Sequence, residues 1–254
     1  MLTEKWKKKM QCIKSALRSV FFPEKYACEC CGREVFSGER FCAKCLSEIS
    51  YTGENICERC GRQVSERCDY CDECKSFVPC FDKARSVCSY NDLTRKLVLR
   101  FKNGKAYLAR LFAEKMSEIA AREFSDADAL VYVPITRKRL RKRGYNQARL
   151  LAGEISQRTG IAVADVLQKK KDTEDQKKLT KKQRKRNLQA AFAVTDKVFC
   201  KDKTLILVDD VMTTGVTVNE IAALLLGARA KKVYVLTFAA VPFRKSEAES
   251  DADE

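Results

Sequence analysis

Residues 205–217 read LILVDDVMTTGVT. The four residues 205–208 are apolar without a helical spacing, the pattern of a strand buried on both faces of a parallel sheet. The strand is expected over 204–208 and ends in two carboxylates, Asp209 and Asp210. A short Thr213-Thr214-Gly215 turn follows, and a helix is expected over 218–226. Such a junction presents backbone N–H groups and hydroxyls to an anion, and a glycine in the turn permits close backbone approach. Ligands of open α/β sheets bind at the carboxyl ends of the strands, where this pair of aspartates falls. Carboxylates repel phosphate, so they suit sugar hydroxyls or a Mg²⁺ ion beside it. An ordinarily capped helix would need neither the aspartate pair nor the Thr-Thr-Gly turn.

Working outward, the chain reads as α/β from about residue 83. Helices are expected over 91–102, 106–123 and 146–158, and further strands over 129–133 and 232–240. Strands alternating with helices imply a mainly parallel sheet covered on both faces. Two basic stretches interrupt this pattern. Residues 137–143 (RKRLRKR) are basic at six positions of seven, and residues 169–186 carry ten basic and three acidic side chains. The second lacks helical periodicity until its end and reads as a mobile loop leading into a short helix.

Towards the N-terminus the composition changes. Thirteen of 14 cysteines precede residue 89. Cys28/Cys31, Cys42/Cys45, Cys57/Cys60 and Cys71/Cys74 form four C-x-x-C pairs, with ten residues separating the first two pairs and ten separating the last two. A tight turn aims two thiolates at one ion and a second turn supplies the other two, so two closed, structural Cys₄ zinc sites are the simplest outcome. An iron–sulfur centre or a redox relay are the alternatives. Cys68 also lies three residues before Cys71 and competes with Cys74 for the second site. Cys12, Cys80, Cys88 and Cys200 read as buried small hydrophobes or spare thiols. Residues 1–26 carry Leu2, Trp6, Met10, Ile13, Leu17 and Val20 on one face of an amphipathic helix, which packs on the body or docks on a membrane surface or partner. The expected organisation is therefore a helix at 1–26, a cysteine-rich region at 27–82, an α/β domain at 83–242 and an acidic disordered tail at 243–254.

Composition narrows the chemistry. The 254-residue chain has no histidine, which removes Ser-His-Asp and Cys-His catalysis and any imidazole metal ligand. At 45% hydrophobic it can bury a sizeable core. Its net charge of +16 favours phosphate-bearing partners. No apolar run approaches the ~20 residues that cross a bilayer. Clustered cysteines in a chain with no secretory signal fit a cytoplasmic, metal-holding protein.

The loop at 205–217 resembles the ribose-phosphate signature of type I phosphoribosyltransferases. Together with SYNDLTRKLVLRFKNG (89–104), VPITRKRLRKRGYNQA (133–148), QKKLTKKQRKRNLQAAF (176–192) and the paired cysteine ribbons, it makes nearly the whole chain similar to the ComF family of competence and amidophosphoribosyltransferase-like proteins. One departure is Arg229-Ala230, where relatives usually have Gly-Ala after the helix. The resemblance implies a double zinc ribbon followed by a type I phosphoribosyltransferase fold. It implies that Asp209 and Asp210 take the ribose hydroxyls of phosphoribosyl pyrophosphate, or a related ribose phosphate, directly or through Mg²⁺. Thr213, Thr214, Gly215, Val216 and Thr217 would wrap the 5′-phosphate. Residues 133–137 would form the pyrophosphate loop, with Arg137 and Lys138 near the leaving group, and residues 169–176 a lid. It further implies a role with single-stranded DNA during natural transformation, alongside a DNA-translocating helicase, in the cytoplasm or at the membrane through the uptake machinery. Basic residues of both stretches, Arg33, Arg59, Arg62 and Arg67 of the ribbons, and Tyr145 and Phe192 as stacking rings are the candidate DNA contacts. An acceptor for phosphoribosyl transfer has no sequence signature here, and no N-terminal cysteine stands where a glutamine amidotransferase has its nucleophile.

Overall fold

The computed structural model describes residues 27–35, 40–170 and 191–242. The expectations for the N-terminal helix, most of the lid and the acidic tail lie outside these residues. The chain divides into two compact units, Met1–Ile49 and Ser50–Glu254. The first contains the short helix α1 (Ala43–Ser47) and the cysteine pairs at 28/31 and 42/45. In the second, the other two pairs, with helix α2 (Asp72–Ser76), belong to the same unit as the sheet.

The sheet unit runs β1 (Lys83–Ser89), α3 (Asp92–Lys102), α4 (Leu108–Glu123), β2 (Ala129–Tyr132), α5 (Arg137–Arg143), α6 (Gln147–Thr159), β3 (Ala162–Val163), β4 (Leu167–Lys169), β5 (Phe192–Val194), α7 (Lys197–Cys200), β6 (Thr204–Met212), α8 (Val216–Gly227) and β7 (Lys232–Ala240). Five strands form a parallel sheet in the order β1-β7-β6-β2-β3. β6 and β7 are central, and their near-continuous apolar runs are buried accordingly. The chain passes from β2 outward to β3 on one side, and from β6 to β7 on the other. With right-handed crossovers, the helices that follow β2 and β6 leave on opposite faces. The crevice between the carboxyl ends of β2 and β6 is thus a topological switch point.

Local chemistry sets the helix ends. Asn91 and Thr94 form a reciprocal capping box on α3. Asn146 caps α6 by accepting from Ala148 and Arg149, while its amide donates to the Val133 carbonyl at 3.0 Å. The core closes on aromatic contacts: Phe112 stacks on Phe238 at 3.7 Å and meets Phe101 edge-on at 5.4 Å.

The structure departs from the sequence reading in several places. β6 runs on through both aspartates to Met212, because Val211 and Met212 still pair with Ala239 and Ala240 of β7. The helix after the turn begins two residues early, at Val216. The basic stretch at 137–143 is itself a helix, started by the Thr136 side chain accepting from Arg139 and ended by Gly144 at φ +81°. The reading of Cys80, Cys88 and Cys200 as buried hydrophobes or spare thiols stands, with Cys88 and Cys200 buried and Cys80 exposed. β4 and β5 pair antiparallel, and the Lys170 N–H donates to the Ala191 carbonyl at 2.7 Å.

Candidate functional site

The carboxyl end of β6 carries the two aspartates into the switch-point crevice. Asp209 pairs in register with Thr237 of β7, and the Asp210 N–H donates to its Oδ1 at 2.8 Å. Asp210 is buried, and its Oδ2 lies 2.8 Å from Nζ of Lys102, the last residue of α3. Burial, and next the Asp210 charge, push the Asp209 carboxyl up to about 8. Two adjacent carboxylates in one crevice resist ionising together, and one ammonium partly offsets them. The arrangement favours a ligand that brings hydroxyl donors or a cation.

Beyond Met212 the chain turns through Thr213 and Thr214, both exposed, to Gly215 at φ +78°. This left-handed conformation favours glycine. Gly215 supplies no side-chain cap to the first turn of α8, so that turn is arranged to offer N–H groups to an anion. Val216 and Thr217 lie in the same turn. Across the crevice the loop after β2 is tied to β6, Val133 N–H donating to the Val208 carbonyl at 3.0 Å. That loop leads directly into α5, where Arg137 and Lys138 form the exposed first turn. The structure thus sets the residues expected of a ribose-phosphate site at the ends of two neighbouring strands.

Lys102 was not singled out from the sequence. It is one cation among 50 and its partner is far away in the chain; only the fold brings them together. Several candidate DNA contacts are otherwise engaged. Arg62 is buried and ion-paired with Glu73, and Arg59 donates to the Pro79 carbonyl at 2.9 Å. Phe192 is buried, and the Tyr145 ring leans on Phe101 while its hydroxyl donates to the Phe101 carbonyl. The buried Phe192 ring is not presented for base stacking, whereas Tyr145 is half-buried.

The cysteine pairs gather into two groups, Cys28, Cys31, Cys42 and Cys45, and Cys57, Cys60, Cys71 and Cys74, with all four sulfurs of each group within 4.8 Å of one another. Cys68 is in neither group; its backbone bridges to Cys57. Cys31 and Cys42 Sγ are 3.7 Å apart, and Cys60 and Cys71 Sγ 3.8 Å. Four Zn–S bonds of about 2.3 Å in a tetrahedron place sulfurs about 3.8 Å apart, so both groups fit zinc. Within the second group the Cys60 and Cys74 thiols hold Cys57 well below an ordinary thiol, while Cys74 is pushed up by Cys57 and Cys60. The thiols share protons where one divalent cation would replace them.

Two family models agree with this architecture. The Double zinc ribbon domain family matches residues 17–75, and the Phosphoribosyl transferase domain family residues 145–254. "Competence protein F" of Haemophilus influenzae is 31% identical over 174 residues, which cover 65% of this chain and 76% of that protein. "Competence protein ComFC" of Bacillus subtilis is 30% identical over 144 residues, covering 56% of this chain and 57% of that one. Among solved structures, the allosteric regulatory enzyme of purine biosynthesis is 19% identical at a TM-score of 0.36; the match covers 51% of this chain but only a quarter (25%) of that one.

Proposed function

The chain belongs to the ComF family, and from that premise we propose that it handles single-stranded DNA during DNA uptake while its phosphoribosyltransferase domain binds a ribose phosphate such as phosphoribosyl pyrophosphate. The observation that carries the ligand reading is the switch-point crevice, where the Asp209–Asp210 pair, the 213–217 turn and the 133–137 loop meet. Asp209 and Asp210 accept from the ribose hydroxyls. The turn and the first N–H groups of α8 hold the 5′-phosphate. Arg137 and Lys138 face the pyrophosphate. Mg²⁺ would be held by the Asp209 and Asp210 carboxylates and would supply positive charge against the pyrophosphate. The DNA reading is supported by the names of the relatives and by α5, a helix with no buried residue that opens off the same crevice.

The same carboxylate pair favours a second reading, phosphoribosyl transfer. An acceptor lone pair would form the new bond to the anomeric carbon as the bond to pyrophosphate breaks, the pyrophosphate leaving with that electron pair and taking up the acceptor's proton. Positive charge then develops on the ribose beside Asp209 and Asp210 and negative charge beside Arg137 and Lys138, an electrostatic complement that needs no histidine.

Calorimetric titration of phosphoribosyl pyrophosphate with Mg²⁺ tests the site on wild type and an Asp209→Ala/Asp210→Ala variant. Saturable binding to wild type that the variant loses is the expected result. No binding to folded, zinc-loaded wild type overturns the ligand reading.

A further inference from the structure

The turn that closes the second cysteine group is fastened to the phosphate loop by one side chain. Arg62 lies two residues after Cys60 and is buried. Its Nη2 donates to the Thr213 carbonyl at 2.6 Å. Its Nη1 is ion-paired with Glu73, which lies between Cys71 and Cys74. One guanidinium therefore spans both halves of the metal site and the first residue of the turn that follows β6. Nearby contacts fix the same region. Cys80 N–H donates at 2.6 Å to Oδ1 of Asn219, in the first turn of α8. Gly61, at φ +65°, sits so near β1 that a Cβ there would lie 2.2 Å from the Ala84 carbonyl oxygen. A Cβ on Gly215 would lie 3.7 Å from Arg62 Nη2, so the guanidinium stands directly against the turn.

The direction of this contact matters. In a trans peptide the C=O of one residue and the N–H of the next point opposite ways. Holding the Thr213 carbonyl towards Arg62 therefore turns the Thr214 N–H away from it, to the other side of the loop. The backbone of the metal site in turn holds Arg62: Cys57 N–H donates to the Arg62 carbonyl at 3.0 Å, and Gly61 N–H to the Cys57 carbonyl at 2.8 Å. Arginine suits the position because its planar fork reaches a carboxylate and a carbonyl at once, which a lysine ammonium does with less geometric control.

We propose that Arg62 is a positioning residue of the phosphate loop, and that metal at Cys57, Cys60, Cys71 and Cys74 thereby sets the affinity of that loop for a ribose phosphate. This rests on the ligand reading above, which assigns the 213–217 turn to phosphate. Without metal, the Cys57–Arg62 turn and the Cys71–Cys74 segment lose their common tether, and the long Arg62 side chain regains rotamer freedom at the expense of the Thr213 contact.

Two measurements on the full chain separate this inference from the reading beneath it. The first needs no ligand. Amide hydrogen exchange over 213–219 is compared in wild type, Arg62→Met, Arg62→Lys and Glu73→Gln, each shown to retain its zinc by metal analysis. Faster exchange in Arg62→Met, with Arg62→Lys intermediate, is expected; exchange equal to wild type overturns the proposal. Glu73→Gln keeps the test open if Arg62→Met does not fold, since it loosens the guanidinium without removing it. The second is titration with phosphoribosyl pyrophosphate and Mg²⁺. Losing one buried charge-assisted hydrogen bond should weaken binding about 10- to 100-fold in Arg62→Met. Faster exchange with unchanged affinity overturns the link to the ligand. If wild type itself binds no phosphoribosyl pyrophosphate, the ligand reading fails and with it the affinity claim, while exchange still decides whether Arg62 positions the loop.

Discussion

At the scale of single residues, the site turns on the charge state of Asp209. Its carboxyl is raised from 3.8 to about 8, first by burial and then by Asp210. The folded chain therefore binds a proton that the unfolded chain releases at lower pH. The stability linked to this group is fully present below about pH 4 and is lost as pH rises towards about 8. Asp209→Asn keeps the acceptor for the Asp210 N–H but removes the titration. It should stabilise the unliganded protein by about 4 kcal/mol at pH 7 and flatten the pH dependence between pH 4 and 8, as read by urea unfolding. An unchanged pH profile would show that Asp209 titrates normally. Lys102→Met strands the Asp210 carboxylate and should cost about 1–3 kcal/mol in the same assay. The aspartate pair was legible in the sequence because its neighbours in the chain are its neighbours in space. Lys102 and Arg62 were not, because each meets its partner across a large sequence separation.

The elements were read best where one period persists. α3, α4 and α6 and the strands β2 and β7 fall within a residue or two of expectation, since their buried positions repeat along a single face or run. β1 was missed because it buries Arg85, Ser86 and Ser89 among its apolar residues. Their partners are distant: Arg85 pairs with Glu58 at 2.5 Å, and the Ser86 hydroxyl lies 2.7 Å from that of Thr237. α5 was missed because its only apolar residue is Leu140, so caps alone define it. The Arg229 departure has a physical cost that sequence could only locate. Arg229 adopts φ +67°, where a side chain is strained, and it is exposed. Arg229→Gly should raise stability by about 1 kcal/mol, measured by denaturant midpoint at constant m-value. No gain would mean the Arg229 side chain makes a compensating interaction.

For the whole molecule, a charge of +16 matters only through its placement. Arg137, Lys138, Arg141 and Lys142 are all exposed on α5, beside the crevice. Replacing these four by Gln should weaken single-stranded DNA binding uniformly across sequences. It should also lower the salt slope by about 0.7 for each phosphate that is no longer neutralised. Affinity and slope equal to wild type would remove α5 from the DNA path. Spacing along the chain was enough to express the parallel α/β class, the aspartate pair with its Thr-Thr-Gly turn, and the two Cys₄ groups. Each of these is written in residues a few positions apart, or in a repeating period, so local geometry is enough to express it. Only the folded chain pairs Lys102 with Asp210 and brings the Arg62 guanidinium, two residues after Cys60, onto the Thr213 carbonyl. It also decided that the second ribbon belongs to the same unit as the sheet. Those relations depend on strand order and on which buried charge finds which partner, and neither is encoded by spacing along the chain.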